Sequence, residues 1–238
     1  MQRLSPSSGG RPGGYVLAVQ RPSSYREQVA PPPPTHTMLR RCRKYASTLF
    51  HLLLHSLGLQ PAHTHTTEAE RAALARYAAG RRRLVEIGVY EGSTTTFLAD
   101  RMAGDGVIVG VDPFVPGRFG VSWCRLIARR QIARHPLRRS IALCEMFSHE
   151  AAARLPGVFD FVFIDGDHAF AAVKLDWESW SSRIVPGGVV ALHDSRVPRH
   201  CPAVAAMGSV AYFEEHVQHD ARFELVEQVD SLSILRRK

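Results

Sequence analysis

The sequence is short of several features that whole protein classes require. It has 4 cysteines in 238 residues (Cys42, Cys124, Cys144 and Cys201), and no two of them form a CxxC pair. Spacing therefore offers neither a zinc site nor a disulfide framework, and the chain is expected in a reducing, cytoplasmic setting. Its apolar runs fall well short of the roughly 20 residues a membrane span needs. Acid is scarce at one end: residues 1–83 hold 13 Lys/Arg against 3 Asp/Glu, whereas residues 84–238 hold 17 against 19. The net charge of +8 thus belongs to an arm and not to the body. An enzyme working on nucleic acid usually carries positive charge beside its site, so no nucleic-acid partner is expected. The length suits one well-buried domain with an appendage.

What is present divides into three parts. Residues 1–37 are rich in Ser, Gly, Pro and Gln and end in Pro31–Pro34, a composition too poor in apolar residues to offset its ordering entropy. They are expected to be disordered, and Met38 is an alternative start. Residues 38–62 form a basic and apolar helical appendage, Leu39-Arg-Arg-Cys-Arg-Lys44 followed by Leu49-Phe-His-Leu-Leu-Leu-His55. It imitates a signal peptide but lacks an Ala-x-Ala cleavage site. The favoured expectation is a helix that caps the domain's own core. Weak contact with a membrane surface through 38–59, or exchange between subunits of a homo-oligomer, is the alternative. Residues 63–238 are the domain itself. His63 and His65 precede a helix that Thr66 or Thr67 caps and Gly80 ends, and the two histidines are expected on a solvated loop.

The domain is organised around Leu84-Val-Glu-Ile-Gly-Val-Tyr-Glu-Gly-Ser-Thr94. A β-type run passes through Gly88 and Gly92 into a helical pattern, which is how a backbone approaches a nucleotide and aims free N–H groups at it. Strands and helices then alternate. Strands are expected at 107–111, 141–144, 159–164 and, after a turn at Pro186-Gly187-Gly188, at 189–192. Helices are expected at about 94–102, 123–133, from Ser148 as cap to Arg154, at 170–180 and near 203–219. A hairpin, 223–226 and 232–235, closes the chain. The pattern implies an α/β fold with a doubly wound, mostly parallel sheet and an antiparallel C-terminal hairpin.

In such a sheet ligands bind beyond the carboxyl ends of the strands. Those ends carry Glu86 to Thr94, Asp112, Ser148, Asp165-x-x-His168 and His193-Asp194. Asp112 stands 20 residues after Gly92, where an acid accepts ribose hydroxyls. An adenosine-containing ligand follows, and NAD enzymes share this logic although the third glycine of their fingerprint is missing.

Four stretches in order, Val85–Ser93, Gly110–Asp112, Phe161–His168 and Val185–Asp194, resemble the motifs of class I S-adenosylmethionine-dependent methyltransferases. The resemblance covers about residues 65–238. It is nearest to the small bacterial group that includes antibiotic- and sugar-tailoring O-methyltransferases. It implies a Rossmann-like, seven-stranded sheet, with Glu86 and the Gly88–Thr94 loop (Gly88, Tyr90, Gly92, Ser93, Thr94) on the methionine moiety of S-adenosyl-L-methionine. Asp112 would hold the ribose, with Ser148 also on the cofactor side. A hydroxyl acceptor must lose a proton, which a divalent metal eases and a nearby base completes. Metal-dependent relatives place acids where Asp165 and Asp194 stand, with His193 at the position of a further ligand. His168 falls where related sugar O-methyltransferases carry a base. The expected reaction is metal-assisted O-methylation of a small hydroxylated metabolite, with Mg or a similar ion. The competing readings are a metal-independent methyltransferase, an NAD-binding oxidoreductase or epimerase, and a non-catalytic scaffold. Arg118, Arg125, Arg196 and Arg199 hint at an anionic acceptor.

Overall fold

The computed structural model describes residues 49–117 and 120–238. The arm 1–37, the basic start of the 38–62 segment, Cys42 and Arg118 lie outside the described residues. Seven strands form one sheet: β1 (Arg83–Ile87), β2 (Val107–Val111), β3 (Ile141–Cys144), β4 (Phe159–Ile164), β5 (Ile184–Leu192), β6 (Phe223–Val229) and β7 (Leu232–Arg237). Their order is β3-β2-β1-β4-β5-β7-β6. β1 to β5 are parallel, and β7 runs antiparallel to both β5 and β6. This is the doubly wound sheet with a terminal hairpin that the alternating pattern implied.

The helices are α1 (residues 49–56), α2 (Glu68–Ala78), α3 (Ser93–Ala99), α4 (Trp123–Arg134), α5 (Ser148–Arg154), α6 (Phe170–Trp180) and α7 (Gly208–Glu215). The period-2 alternation of the strands sorts their side chains into two cores. Val85, Ile87, Val162, Ile164, Val190 and Leu192 pack on Val173, Trp177 and Trp180 of α6 and on Tyr212 and Phe213 of α7. Leu84, Phe161, Phe163, Val189 and Ala191 face the other way, onto Leu74 and Ala78 of α2 and Leu98 of α3. Both faces of the central strands are buried, which is why they read as nearly unbroken apolar runs.

Several boundaries differ from expectation for local reasons. Pro186-Gly187-Gly188 does not precede β5 but lies inside it, as an irregularity where the β4–β5 register shifts between Phe159 and Phe161. The expected helix near 203–219 is broken into 3-10 turns around α7, whose first residue, Gly208, lies tight against Phe170. Ser148 is the first residue of α5 and not its cap, a position taken by Phe147. Its hydroxyl accepts from Trp180 Nε1 at 2.7 Å instead. Thr67 caps α2, and Glu70 returns a bond to the Thr67 N–H at 2.8 Å, completing a capping box.

α1 does pack on the domain, but by its polar side. His51 and His55 are buried, whereas Leu49, Phe50, Leu53 and Leu57 are between 52% and 64% exposed. Arg130 and Arg134 of α4 donate to the Ser56 carbonyl at 2.8 and 2.9 Å, covering the helix end where cations are favoured. No helix among the described residues is long and apolar enough to cross a membrane.

Gly88 and Gly187 both have positive φ, 88° and 75°, but only Gly88 is enclosed. A Cβ at Gly88 would stand 1.9 Å from the Asp165 carbonyl oxygen, whereas one at Gly187 meets nothing within 4 Å. Gly187→Ala is expected to cost about 1–2 kcal/mol from backbone strain alone. Gly88→Ala should cost at least about 3 kcal/mol, since backbone must also move. Urea unfolding of the two variants beside the parent measures the difference; equal midpoints would contradict this packing.

Candidate functional site

The sheet order reverses between β1 and β4, because the chain leaves β1 toward β2 on one side and places β4 on the other. The loops after these two strands therefore diverge and leave a crevice. Gly88 donates to the Val111 carbonyl at 2.9 Å and the Asp165 N–H donates to the Ile87 carbonyl at 2.8 Å, which extends the ladder past both strand ends. The glycine loop and Asp165 are thus in backbone contact.

Asp112, at the end of β2, fastens the loop. Its Oδ2 accepts from the Val89 and Tyr90 N–H groups, both at 3.0 Å, and its Oδ1 from Phe114 N–H at 2.7 Å. Burial nevertheless holds this carboxyl above its ordinary value, against the pull of the three N–H donors. Tyr90 sits at φ 53° with its ring stacked on His65, 5.1 Å between centroids. Burial, then the charges of Glu91 and Cys124, push its hydroxyl up to about 12. Gly92 heads α3 with no side-chain cap, so Ser93 and Thr94 open the helix with N–H groups that find no carbonyl within it. Glu86 is 1% exposed and accepts from the Thr95 hydroxyl beneath the loop. Burial first, then Asp165 and Asp112, hold its carboxyl well above the usual range and favour the neutral acid. Ser148 stands apart from this set. Its hydroxyl is taken up by Trp180 and by Asp176, a buried carboxyl pushed up to about 6.

Across the crevice, the ends of β4 and β5 bring Asp165, His168, His193 and Asp194 together. His168 Nε2 lies 3.9 Å from Asp165 Oδ1 and 3.5 Å from Asp194 Oδ2, and this side chain is about a third exposed. Ser209, fully buried in α7, binds both flanks: its N–H donates to the His168 carbonyl at 3.0 Å and its hydroxyl to the Asp194 carbonyl at 2.6 Å. Asp194 has φ 47°, a left-handed conformation of the kind found where surrounding structure fixes a functional side chain.

His193 is buried and both its nitrogens are engaged, Nδ1 with Asp165 Oδ1 at 2.8 Å and Nε2 with Glu70 Oε2 at 3.3 Å. Burial opposes its charge, but the bonds to Asp165 and Glu70 prevail and raise it to about 10. Glu70 shows the reciprocal shift. Burial would raise it, yet His193, the Thr67 N–H and Ser231 bring it down to about 2. Both ring nitrogens are thus engaged in a buried chain, Glu70–His193–Asp165, whose flanking carboxylates favour the charged ring. Asp165 and Asp194, at the ends of adjacent strands, offer the all-oxygen donors that a hard divalent cation takes.

Sequence reasoning missed Glu70, Glu91 and His51. The Thr67-x-x-Glu70 spacing announced a capping box, but only the fold carries Glu70 to His193, 123 residues away. Glu91 is 1% exposed; its Oε2 lies 2.9 Å from His51 Nε2 and accepts from the His63 N–H at 2.6 Å. Arg125 is spent on Glu145, to which its Nε donates at 2.9 Å, so it is not a free anion ligand. Arg196 and Arg199 are exposed.

Residues 85–195 match the family model described as "Methyltransferase domain". No curated protein matches the chain in sequence. Solved structures share its fold. An O-methyltransferase from Bacillus cereus in complex with SAH is 20% identical, with a TM-score of 0.55, over 80% of this chain and 91% of that one. The SAH-bound Podospora anserina methyltransferase PaMTH1 gives 14% identity and a TM-score of 0.58, over 88% and 99%. The O-methyltransferase TomG from Streptomyces achromogenes, in complex with SAM, gives 15% and 0.56, over 80% and 89%. Residues 85–195 are thus similar to a methyltransferase domain, and the chain shares the Rossmann-like fold of these solved structures.

The Glu70–His193 pair makes stability depend on pH in a defined sense. His193 ionises near 6.5 when unfolded and near 10 when folded, so its contribution is complete below pH 6.5 and fades as pH climbs toward 10. Glu70 ionises near 4.5 unfolded and about 2 folded, so its contribution is complete above pH 4.5 and fades as pH falls toward 2. His193→Gln is expected to flatten the alkaline decline seen in urea unfolding between pH 6.5 and 10. A variant that declines as steeply as the parent would show that the ring is not charged in the fold.

Proposed function

We propose that the protein transfers the methyl group of S-adenosyl-L-methionine to a hydroxyl of a small metabolite, with a divalent cation assisting. The observation that carries this reading is the contact between the two halves of the crevice, Gly88 packed on Asp165, which sets a cofactor loop directly against an acid–base group. In this reading the Gly88–Thr94 loop takes the methionine portion and Asp112 the ribose. Tyr90 lies beside the entering cofactor, and Glu86 acts from below by fixing Thr95.

Methyl transfer needs an in-line approach and an electron-rich oxygen. His168 Nε2 takes the acceptor's proton, the oxygen forms its bond to the methyl carbon, and the C–S bond breaks with its electron pair going to sulfur, leaving S-adenosylhomocysteine. Asp165 and Asp194 face that nitrogen and stabilise the imidazolium as it forms. The same carboxylates would hold the cation, which would supply Lewis acidity to the acceptor oxygen. His193 is read as a positioning residue that fixes Asp165, in place of a metal ligand. Ser148 is kept out of the cofactor set because its hydroxyl serves α6.

The acceptor is read as small because residues 84–238, which carry the crevice, are nearly neutral, with 17 Lys/Arg against 19 Asp/Glu. The apolar outward stripe of α1 is read as the surface through which the N-terminal segment meets a weak interfacial or subunit contact.

With a panel of hydroxylated acceptors and radiolabelled cofactor, the parent should transfer methyl groups and lose most of that activity in excess EDTA. His168→Ala should lower kcat by about 10²–10⁴-fold while leaving S-adenosylhomocysteine affinity unchanged. Full activity of the variant would remove the base from the account, and full activity in EDTA would remove the cation.

A further inference from the structure

Outside the crevice, the described residues contain one group of three potential ligands whose donor atoms all lie within 4.8 Å of one another: His51, His63 and Glu91. Glu91 Oε2 stands 2.9 Å from His51 Nε2 and 3.6 Å from His63 Nδ1. Zinc holds nitrogen and oxygen at about 2.0–2.2 Å in a tetrahedron, which sets neighbouring donors roughly 3.4 Å apart. The observed separations bracket that edge. The two rings are stacked, 3.8 Å between centroids, and the His63 side chain is 47% exposed, so it is free to turn its lone pair toward a shared ion.

The surroundings are those of a ligand set. His51 Nδ1 donates to Gln60 Oε1 at 2.9 Å, which fixes the tautomer and leaves Nε2 toward Glu91. A carbonyl on the far nitrogen is the usual partner of a metal-bound histidine. His55, one turn along the same face of α1, repeats the arrangement, with Nδ1 toward the Gln60 carbonyl at 3.2 Å. Its Nε2 is the one buried side-chain N or O atom among the described residues without a hydrogen-bond partner, in a residue only 4% exposed.

We propose that His51, His63 and Glu91 bind a divalent transition-metal ion of the zinc class, which clips α1 and the segment after it to the glycine loop. Two imidazoles and one carboxylate suit a borderline-soft ion, unlike the all-oxygen pair Asp165 and Asp194. The fourth position falls to water. Because Glu91 lies between Tyr90 and Gly92, the ion fixes the loop from outside the crevice. The site stands whether or not methyl transfer is the activity.

The test uses the untagged full chain, stripped with chelator and titrated with Co²⁺ as an optical probe, then with Zn²⁺ as competitor. The expected result is a visible ligand-field band that saturates with one equivalent of Co²⁺, apart from any Co²⁺ taken by the oxygen donors Asp165 and Asp194, and that Zn²⁺ abolishes. His63→Ala, a change at an exposed side chain, should weaken Co²⁺ binding by at least about tenfold with an unchanged far-ultraviolet spectrum. Glu91→Gln should act in the same direction, and Asp165→Asn should leave the band intact. No band in the parent, a band unaffected by both His63→Ala and Glu91→Gln, or a band lost in Asp165→Asn would each overturn the proposal.

Discussion

The buried chain of charge from Glu70 through His193 to Asp165 is the interaction on which the site depends. It joins the first turn of α2 to the ends of β5 and β4, elements that meet only in the finished fold. Glu70 is 1% and His193 4% exposed, so neither charge has water to fall back on. Removing one member of such a pair strands the other, at a typical cost of about 3–5 kcal/mol. The same glutamate closes the capping box of α2 and accepts from the Ser231 N–H and hydroxyl at 2.9 and 2.7 Å. One carboxylate thus registers α2, the β6–β7 turn and the crevice against one another.

That registration gives the crevice its division of labour. On the β1–β2 side, backbone N–H groups and a glycine loop are arranged by Asp112, a geometry for an adenosine ligand. On the β4–β5 side, His168 lies between two carboxylates that His193 and Ser209 hold in place. Gly88 is where the sides touch, and any side chain there would drive Asp165 away. A methyl group carried on one side and a hydroxyl held on the other would meet across that contact.

Most of the sheet was legible because central parallel strands must be apolar on both faces, and the runs at 107–111 and 161–164 carry that constraint; 141–144, at the sheet edge, is short and only partly buried. The acids at the strand ends were legible for a similar reason, since each follows directly on its strand. What could not be read was pairing over distance. His193 reads as a metal ligand when only its neighbour Asp194 is visible; its buried partner Glu70 belongs to another helix. Ser148 reads as a helix cap until Trp180 and Asp176 claim its hydroxyl. α1 was expected to cap the domain's own core, but its buried residues are His51 and His55, which Gln60 and Glu91 hydrogen-bond, whereas Leu49, Phe50 and Leu53 are exposed and Leu52 and Leu54 half-buried. In each case a long-range polar partner outweighed a local preference.

The central claim is that this crevice is built for a sulfonium cofactor and its product. Calorimetric titration of the full chain with S-adenosylhomocysteine, and separately with NADH, tests it most directly. The account predicts 1:1 binding of S-adenosylhomocysteine that Asp112→Ala weakens, with no heat from NADH. Binding of NADH in its place, or no measurable affinity for S-adenosylhomocysteine, would contradict it.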